Sequence, residues 1–390
     1  MLAAVVCAKL TPHHAVRLRA LARAGEESGD RVAAIEVADF QRDYRWPETT
    51  GAPGAFERIT LFPGSDYWSR SYPEVHRALT RALGRLSPDV VVLPGWAFRE
   101  SWAGLLWAAR RGVPRVLISD SQPIDNPQRF WRVWLKRRIV RQFQAALAGG
   151  RPHVRYLAEL GLAAEQCFTG CDVVDNEFYA AVRRQPPPAG VPATLVSCLR
   201  FLPVKNIFGV LDVLSGPAQP WNWLLAGYGP LEGEIRRRIR RLGLESRVAL
   251  AGAVPHFDTP RVYAQGHVYL QPSLSEPWGL AVNEAMASGL PLVLSNRCGC
   301  REDLLKDREN GFLFDPSEPG GLERALGRMW LARERWPEMG QASRNRVAPW
   351  GPERYARNLW RACQAARASS AAGLGARSWA KALDLVCRHV

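Results

Sequence analysis

The chain has 390 residues, 47% of them apolar, and 52 Lys plus Arg against 37 Asp plus Glu, a formal net charge of +15. That length predicts two domains rather than one core, and no apolar run reaches the length of a membrane span. The eight cysteines are scattered and predict thiols rather than a disulfide framework. Neither close pair, Cys167/Cys171 or Cys298/Cys300, has a second half at zinc spacing. The positive charge predicts an anionic partner: a phosphorylated small molecule, a membrane surface or a nucleic acid. Without a zinc-finger or RNA-recognition signature, nucleic acid is not expected.

Short β-branched runs alternate with helical stretches from the start. MLAAVVCAKL lacks a basic start and runs into TPHH, so it reads as a first buried strand, not a signal peptide, and the chain reads as cytoplasmic. Strands follow at RVAAIEVA (31–38), PDVVVLPG (88–95) and PRVLIS (114–119), with helices at 74–86 and 99–111. QPPPAGVP (185–192) is a Pro-rich break. The rhythm then restarts with strands at 194–199, 221–229, 247–252, 268–273 and 290–295 and helices at 206–214, 230–242, 280–288 and 318–333. Residues 352–366 read as a helix, and 378–390 as a last amphipathic one. Strands alternating with helices imply parallel sheets. The reading is α/β, with two doubly wound Rossmann-like domains facing a cleft. Its boundaries are 1–172, a linker at 173–192, 193–350, and closing helices at 351–390.

Three stretches carry chemistry. In SEPWGLAVNEA (275–285), Glu276 and Glu284 stand eight positions apart around Gly279. Gly279 opens a helix whose first backbone N–H groups suit a phosphate. Glu276 lies in the preceding loop, and Glu284, further along the helix, suits a ribose hydroxyl. In CLRFLPVKN (198–206), Arg200 and Lys205 follow a strand end, and a guanidinium plus an ammonium suits a diphosphate. LAGYGPLEGEIRR (225–237) lacks the full dinucleotide fingerprint and reads as a tight turn into a helix.

Together these motifs resemble the retaining, nucleotide-sugar-dependent glycosyltransferases of family four, with the GT-B fold. The resemblance runs through Arg200…Lys205, AGYGPLEGE, the 251–273 run, the Glu276-x7-Glu284 spacing and GCREDLLKDRENGFLFDP (299–316). In the first half it rests on the strand rhythm and on CDVVDNEFY (171–179), which matches the interdomain segment. It implies sugar transfer from a nucleoside diphosphate sugar with retained configuration, and a C-terminal helix that crosses back to the first domain. It implies that Glu276 contacts donor sugar hydroxyls, Glu284 the ribose, and Arg200, Lys205 and the amides of Gly279 and Leu280 the departing diphosphate. Trp278 and Pro255 join the donor side.

Three departures fall on the acceptor side and the phosphate loop. TPHH replaces the common Gly-Gly, so His13 and His14 are acceptor-side candidates or plain loop residues. Asp120 stands roughly where the family often has a His, and becomes a catalytic candidate. Leu199 replaces the Gly before Arg200. With no Asp-x-Asp loop, no metal is expected, and the donor is a co-substrate with no cofactor beside it.

FWRVWLKRRIVRQF (130–143) has two readings. It is a core-facing helix with a basic outer face, or Phe130, Trp134, Ile139 and Phe143 form an apolar side among Arg132, Lys136, Arg137 and Arg141. The second reading lies on an anionic membrane, at its inner face, where a lipid-linked acceptor would also be found. The functional expectation is transfer from a UDP-sugar, ahead of a GDP-sugar, to a glycan, glycolipid or small-molecule acceptor in bacterial cell-envelope polysaccharide synthesis. The alternative is a non-catalytic nucleotide-sugar, membrane or nucleic-acid binding protein on the same scaffold.

Overall fold

The computed structural model describes residues 1–42, 55–125, 128–182, 192–216 and 220–370. The chain forms two compact units, 1–173 with 352 onward, and 174–351. The Pro-rich break lies almost wholly outside the described residues, and the helix expected at 378–390 lies entirely outside them.

The first unit holds a seven-stranded parallel sheet of β1 (Leu2–Cys7), β2 (Arg31–Phe40), β3 (Glu57–Asp66), β4 (Val90–Pro94), β5 (Arg115–Ser119), β6 (Ala145–Ala148) and β7 (Cys167–Thr169). Its order is β3-β2-β1-β4-β5-β6-β7. The central strands are buried on both faces, which is why VVVLP and RVLIS are nearly continuous apolar runs. The Pro352–Ser370 helix belongs to this unit, and its Trp360 Nε1 donates to the Leu21 carbonyl at 2.9 Å. The Asn358 amide bonds the Thr169 carbonyl at the end of β7.

The second unit holds six parallel strands: β8 (Ala193–Cys198), β9 (Trp221–Ala226), β10 (Val248–Gly252), β11 (Val268–Gln271), β12 (Leu292–Ser295) and β13 (Gly311–Phe314). Their order is β10-β9-β8-β11-β12-β13. Trp221, Trp223 and Leu225 of β9 are buried, and Trp221 stacks on Trp336 with ring centroids 5.6 Å apart. In both sheets the order reverses once, between β1 and β4 and between β8 and β11. Ligands of open α/β sheets bind at such points, beyond the carboxyl ends of the strands.

Several sequence expectations need correcting. The strand read over 221–229 stops at Ala226, because Gly227 and Gly229 take φ of +142° and +157°. A Cβ on Gly227 would stand 1.7 Å from the Leu199 carbonyl oxygen. The strand read over 268–273 stops at Gln271, before Pro272, which has no N–H for the ladder. Within the stretch read as a linker, Asn176–Ala180 is a helix in the second unit, with Tyr179 buried. β3, β6, β7 and β13 were not expected.

The Phe130–Val140 helix divides its apolar residues. Ile139 and Phe143 are 4% exposed, whereas Phe130 is 87% and Trp134 53% exposed. From 130 to 139 is two and a half turns at about 3.6 residues per turn, so these side chains leave on opposite sides. The four residues therefore form no single apolar face.

Candidate active site

In the second unit the loops after β8 and β11 flank the reversal of strand order. The first carries Arg200 and, in the short turn Pro203–Lys205, Lys205. The second carries Ser273 and Glu276. A backbone bond from Leu274 N to Val204 O, 2.8 Å, ties the loops together. The glycines of the 227–229 turn press against the 199–201 backbone, and Phe201 N donates to Tyr228 O at 2.8 Å. The Gly-x-Gly element therefore supports the Arg200 loop.

Lys205 Nζ donates to Glu276 Oε2. The same oxygen accepts from Gln271 Nε2 at 2.8 Å and Ser273 Oγ at 3.1 Å. Glu276 is 9% exposed, and this donor set fixes the orientation of its buried carboxylate. Its backbone is held by the 297–300 turn: Glu276 N donates to Arg297 O, Gly299 N to Glu276 O, and Cys300 N to Trp278 O. Burial pushes the thiols of Cys298 and Cys300 well above their usual value, which makes them inert packing groups.

Gly279 has φ of +99° and precedes the Leu280–Ala287 helix. A Cβ there would come within 3.3 Å of Glu276 Cγ and Val282 Cγ2. Glycine lets the chain turn from the Glu276 loop directly into the helix start. Trp278, read above among the donor contacts, is instead packed inside: it is 2% exposed, its Nε1 donates to Asn283 Oδ1, and its ring lies 5.1 Å from that of Trp350. Pro255 is exposed in the loop after β10. Glu284 is buried, and both of its oxygens accept phenolic hydrogen bonds, Oε1 from Tyr179 and Oε2 from Tyr263.

The remaining candidates lie in the first unit. His13 is buried and Asp120 partly exposed, near the carboxyl ends of β1 and β5. His14 is bound up in the helix start: its Nδ1 accepts from Thr11 N, and its own N–H donates to Thr11 Oγ1. Burial of its ring, then the charges of Arg17 and His13, pushes its pKa down to about 3.

Sequence reasoning missed Gln271, Ser273, Tyr179 and Tyr263 around the two glutamates. It also missed Glu100 in the first unit, a fully buried carboxyl that accepts from Tyr67 Oη at 3.1 Å. Burial pushes its pKa up to about 7, against the opposing pull of its own backbone N–H, Tyr67 and Arg99. Among the described residues no group of three or more His, Cys, Asp or Glu side chains is placed to hold a metal ion.

Two family models match this chain. The model of glycosyl transferases group 1 covers residues 180–346, and that of the glycosyl transferase 4-like domain covers residues 14–169. The chain belongs to the family-four glycosyltransferases of the GT-B fold. Sucrose synthase of Acidithiobacillus caldus is 42% identical to this glycosyltransferase over 192 residues, which are 42% of this chain and 24% of that protein. Sulfoquinovosyl transferase SQD2 of Arabidopsis thaliana is 31% identical over 115 residues, 29% of this chain and 22% of that protein. The match thus spans less than a quarter of either relative. Sucrose-phosphate synthase from Thermosynechococcus elongatus overlays with a TM-score of 0.72 at 19% identity, covering 93% of this chain and 98% of that one. Anabaena HepE in complex with UDP gives 0.69 at 17% identity, covering 92% and 98%. At these identities the overlays show the fold.

Proposed function

We propose that this glycosyltransferase moves a sugar from a UDP-sugar to a glycan, glycolipid or small-molecule acceptor, with retained anomeric configuration and without a metal ion. The observation that carries the reading is the Lys205–Glu276 pair, set beside the phosphate-suited helix start of Gly279 at the reversal of strand order. In this reading Glu276 grips donor sugar hydroxyls, and Lys205 turns to the diphosphate when the donor arrives. Arg200 and the amides of Gly279 and Leu280 complete the diphosphate contacts, and Glu284 takes the ribose. As the bond from the anomeric carbon to the phosphate oxygen breaks, these fixed donors stabilise the charge that develops on the leaving group. The sugar passes through an oxocarbenium-like state and bonds to the acceptor oxygen as that oxygen gives up its proton.

UDP is favoured because HepE structures hold UDP and UDP-glucose. A role in bacterial cell-envelope polysaccharide is supported by the overlay with the lipopolysaccharide outer core galactosyltransferase WaaB, TM-score 0.65 at 17% identity. Contact with an anionic membrane surface is supported by the Phe130–Val140 helix. Phe130, Trp131 and Trp134 are exposed on it, Arg132 and Arg138 lie over the Trp131 and Trp134 rings, and the segment 128–143 has no acid. Among the described residues no helix is long and apolar enough to cross a membrane.

The test is UDP release from a panel of UDP-sugars with candidate acceptors, with the anomeric configuration of the product read by NMR. The reading expects turnover with one donor, an unchanged anomer, and activity that survives chelation of divalent ions. A folded protein that turns over no nucleotide sugar, or gives an inverted product, overturns it.

A further inference from the structure

Glu284 is gripped from two sides by tyrosines that come from separate segments. Tyr179 belongs to the Asn176–Ala180 helix, just past the point where the chain enters the second unit at Val174. Its hydroxyl donates to Glu284 Oε1 at 2.9 Å. Tyr263 belongs to the Thr259–Ala264 helix, and its hydroxyl donates to Oε2 at 2.5 Å. Both phenols are almost completely buried, and burial first, with negatively charged neighbours, raises their pKa well above the usual value. They are therefore neutral donors throughout the physiological range.

Neither tyrosine is free to swing. The two rings meet edge to face at 6.0 Å. The Tyr179 carbonyl accepts from Ser288 Oγ, one turn beyond Glu284. Next to it, Phe178 stacks on His256 with centroids 5.2 Å apart. Asp175 caps the helix through Phe178 N, and Asn176 Nδ2 donates to the Val347 carbonyl. The Tyr179 hydroxyl is thus fixed by contacts on several sides of its helix.

We propose that Tyr179 and Tyr263 are positioning residues that set the plane of the Glu284 carboxylate for the two vicinal hydroxyls of a nucleotide ribose. The inference rests on the reading of Glu284 as the ribose contact. A carboxylate has about four acceptor sites, all in one plane. A phenol on each oxygen fixes that plane, and with it the directions from which ribose hydroxyls must approach. With one phenol gone, the carboxylate regains rotation about its terminal bond and holds a diol less well. The segment through which the chain enters the second unit thereby takes part in donor recognition, with Tyr179 acting through Glu284.

The experiment is calorimetric binding of UDP and of 2′,3′-dideoxy-UDP to wild type, Tyr179→Phe and Tyr263→Phe. Wild type is expected to bind UDP about 10- to 100-fold more tightly than the dideoxy analogue, the span of hydrogen bonds to a charged group. Each Phe variant is expected to lose UDP affinity several-fold and keep its affinity for dideoxy-UDP, so that the ratio narrows. Unchanged dideoxy-UDP binding also shows that the variant is folded, a readout that general loosening of the site would move. If wild type discriminates and both variants keep the full ratio, the positioning role is overturned while Glu284 keeps the ribose. If wild type does not discriminate, the ribose reading of Glu284 falls, and the positioning role with it.

Discussion

The Lys205 ammonium and the Glu276 carboxylate join the loops that follow β8 and β11, with both side chains largely withdrawn from solvent. An ion pair at that depth is costly to form and more costly to leave half-made. The Gln271 and Ser273 donors on the same carboxylate oxygen mean that Glu276 stays anchored when Lys205 turns to an incoming phosphate.

Glu276→Gln keeps the size of the side chain and removes its charge. Sugar transfer is expected to fall by at least about 100-fold, the scale of losing one preorganised polar contact in the transition state. UDP affinity should hold or rise, because Lys205 loses its internal competitor. Steady-state transfer and equilibrium UDP binding, measured on the same preparation, separate the two effects.

Gly279→Ala forces a side chain into a backbone with φ of +99° and against Glu276 Cγ and Val282 Cγ2. A stability loss of about 1–2 kcal/mol is expected from the left-handed conformation and the contact. Thermal melting reads that loss, and UDP binding should weaken because the helix start shifts. Gly327, inside the Gly321–Leu331 helix, where a Cβ would meet nothing within 4 Å, is the control: alanine there should leave UDP binding unchanged and keep or slightly raise the melting temperature.

Glu100 gives the first unit a pH dependence. Its pKa rises from 4.5 to about 7 on folding, mainly through burial, so the folded state holds the proton more tightly than the unfolded one. The favourable contribution is complete below about pH 4.5 and is lost as pH rises towards 7, amounting to about 3 kcal/mol. Glu100→Gln should flatten this part of the stability profile and raise stability at pH 8. Denaturant titrations from pH 4.5 to 8 on both proteins check it.

The exposed aromatics of the Phe130–Val140 helix predict association with anionic lipid. The triple variant Phe130→Ser, Trp131→Ser, Trp134→Ser removes one exposed and two half-exposed side chains, so melting should fall only modestly. Sedimentation with vesicles containing phosphatidylglycerol should drop by an order of magnitude, while vesicles of phosphatidylcholine alone bind neither protein strongly.

How legible these features were in the sequence depended on burial and on distance along the chain. β4, β5 and β12 were plain because fully buried parallel strands must be continuous apolar runs. β3 was hidden: as an edge strand its sequence ERITLFPGSD has no fully buried residue, and it contains Pro63 and Gly64. β6 was hidden because AALA fits a buried helix as well as a strand. In the candidate site, the Glu276-x7-Glu284 spacing and the Arg200/Lys205 loop were visible because each lies on one short stretch. Gln271, Tyr179 and Tyr263 were not, since nothing local to CDVVDNEFY or TPRVYA states that two phenols converge on one carboxylate. The single apolar side read over Phe130, Trp134, Ile139 and Phe143 fails for a simpler reason: residues nine positions apart point in opposite directions on a helix.

The most direct test of the donor site is calorimetric titration of UDP and GDP into wild type, Arg200→Ala and Lys205→Ala. One nucleotide, UDP, should bind wild type at one site per chain, and each substitution should weaken it about 10- to 100-fold, as the loss of a charge-assisted phosphate contact predicts. Absence of binding to folded wild-type protein, or UDP binding untouched by both substitutions, would contradict the account.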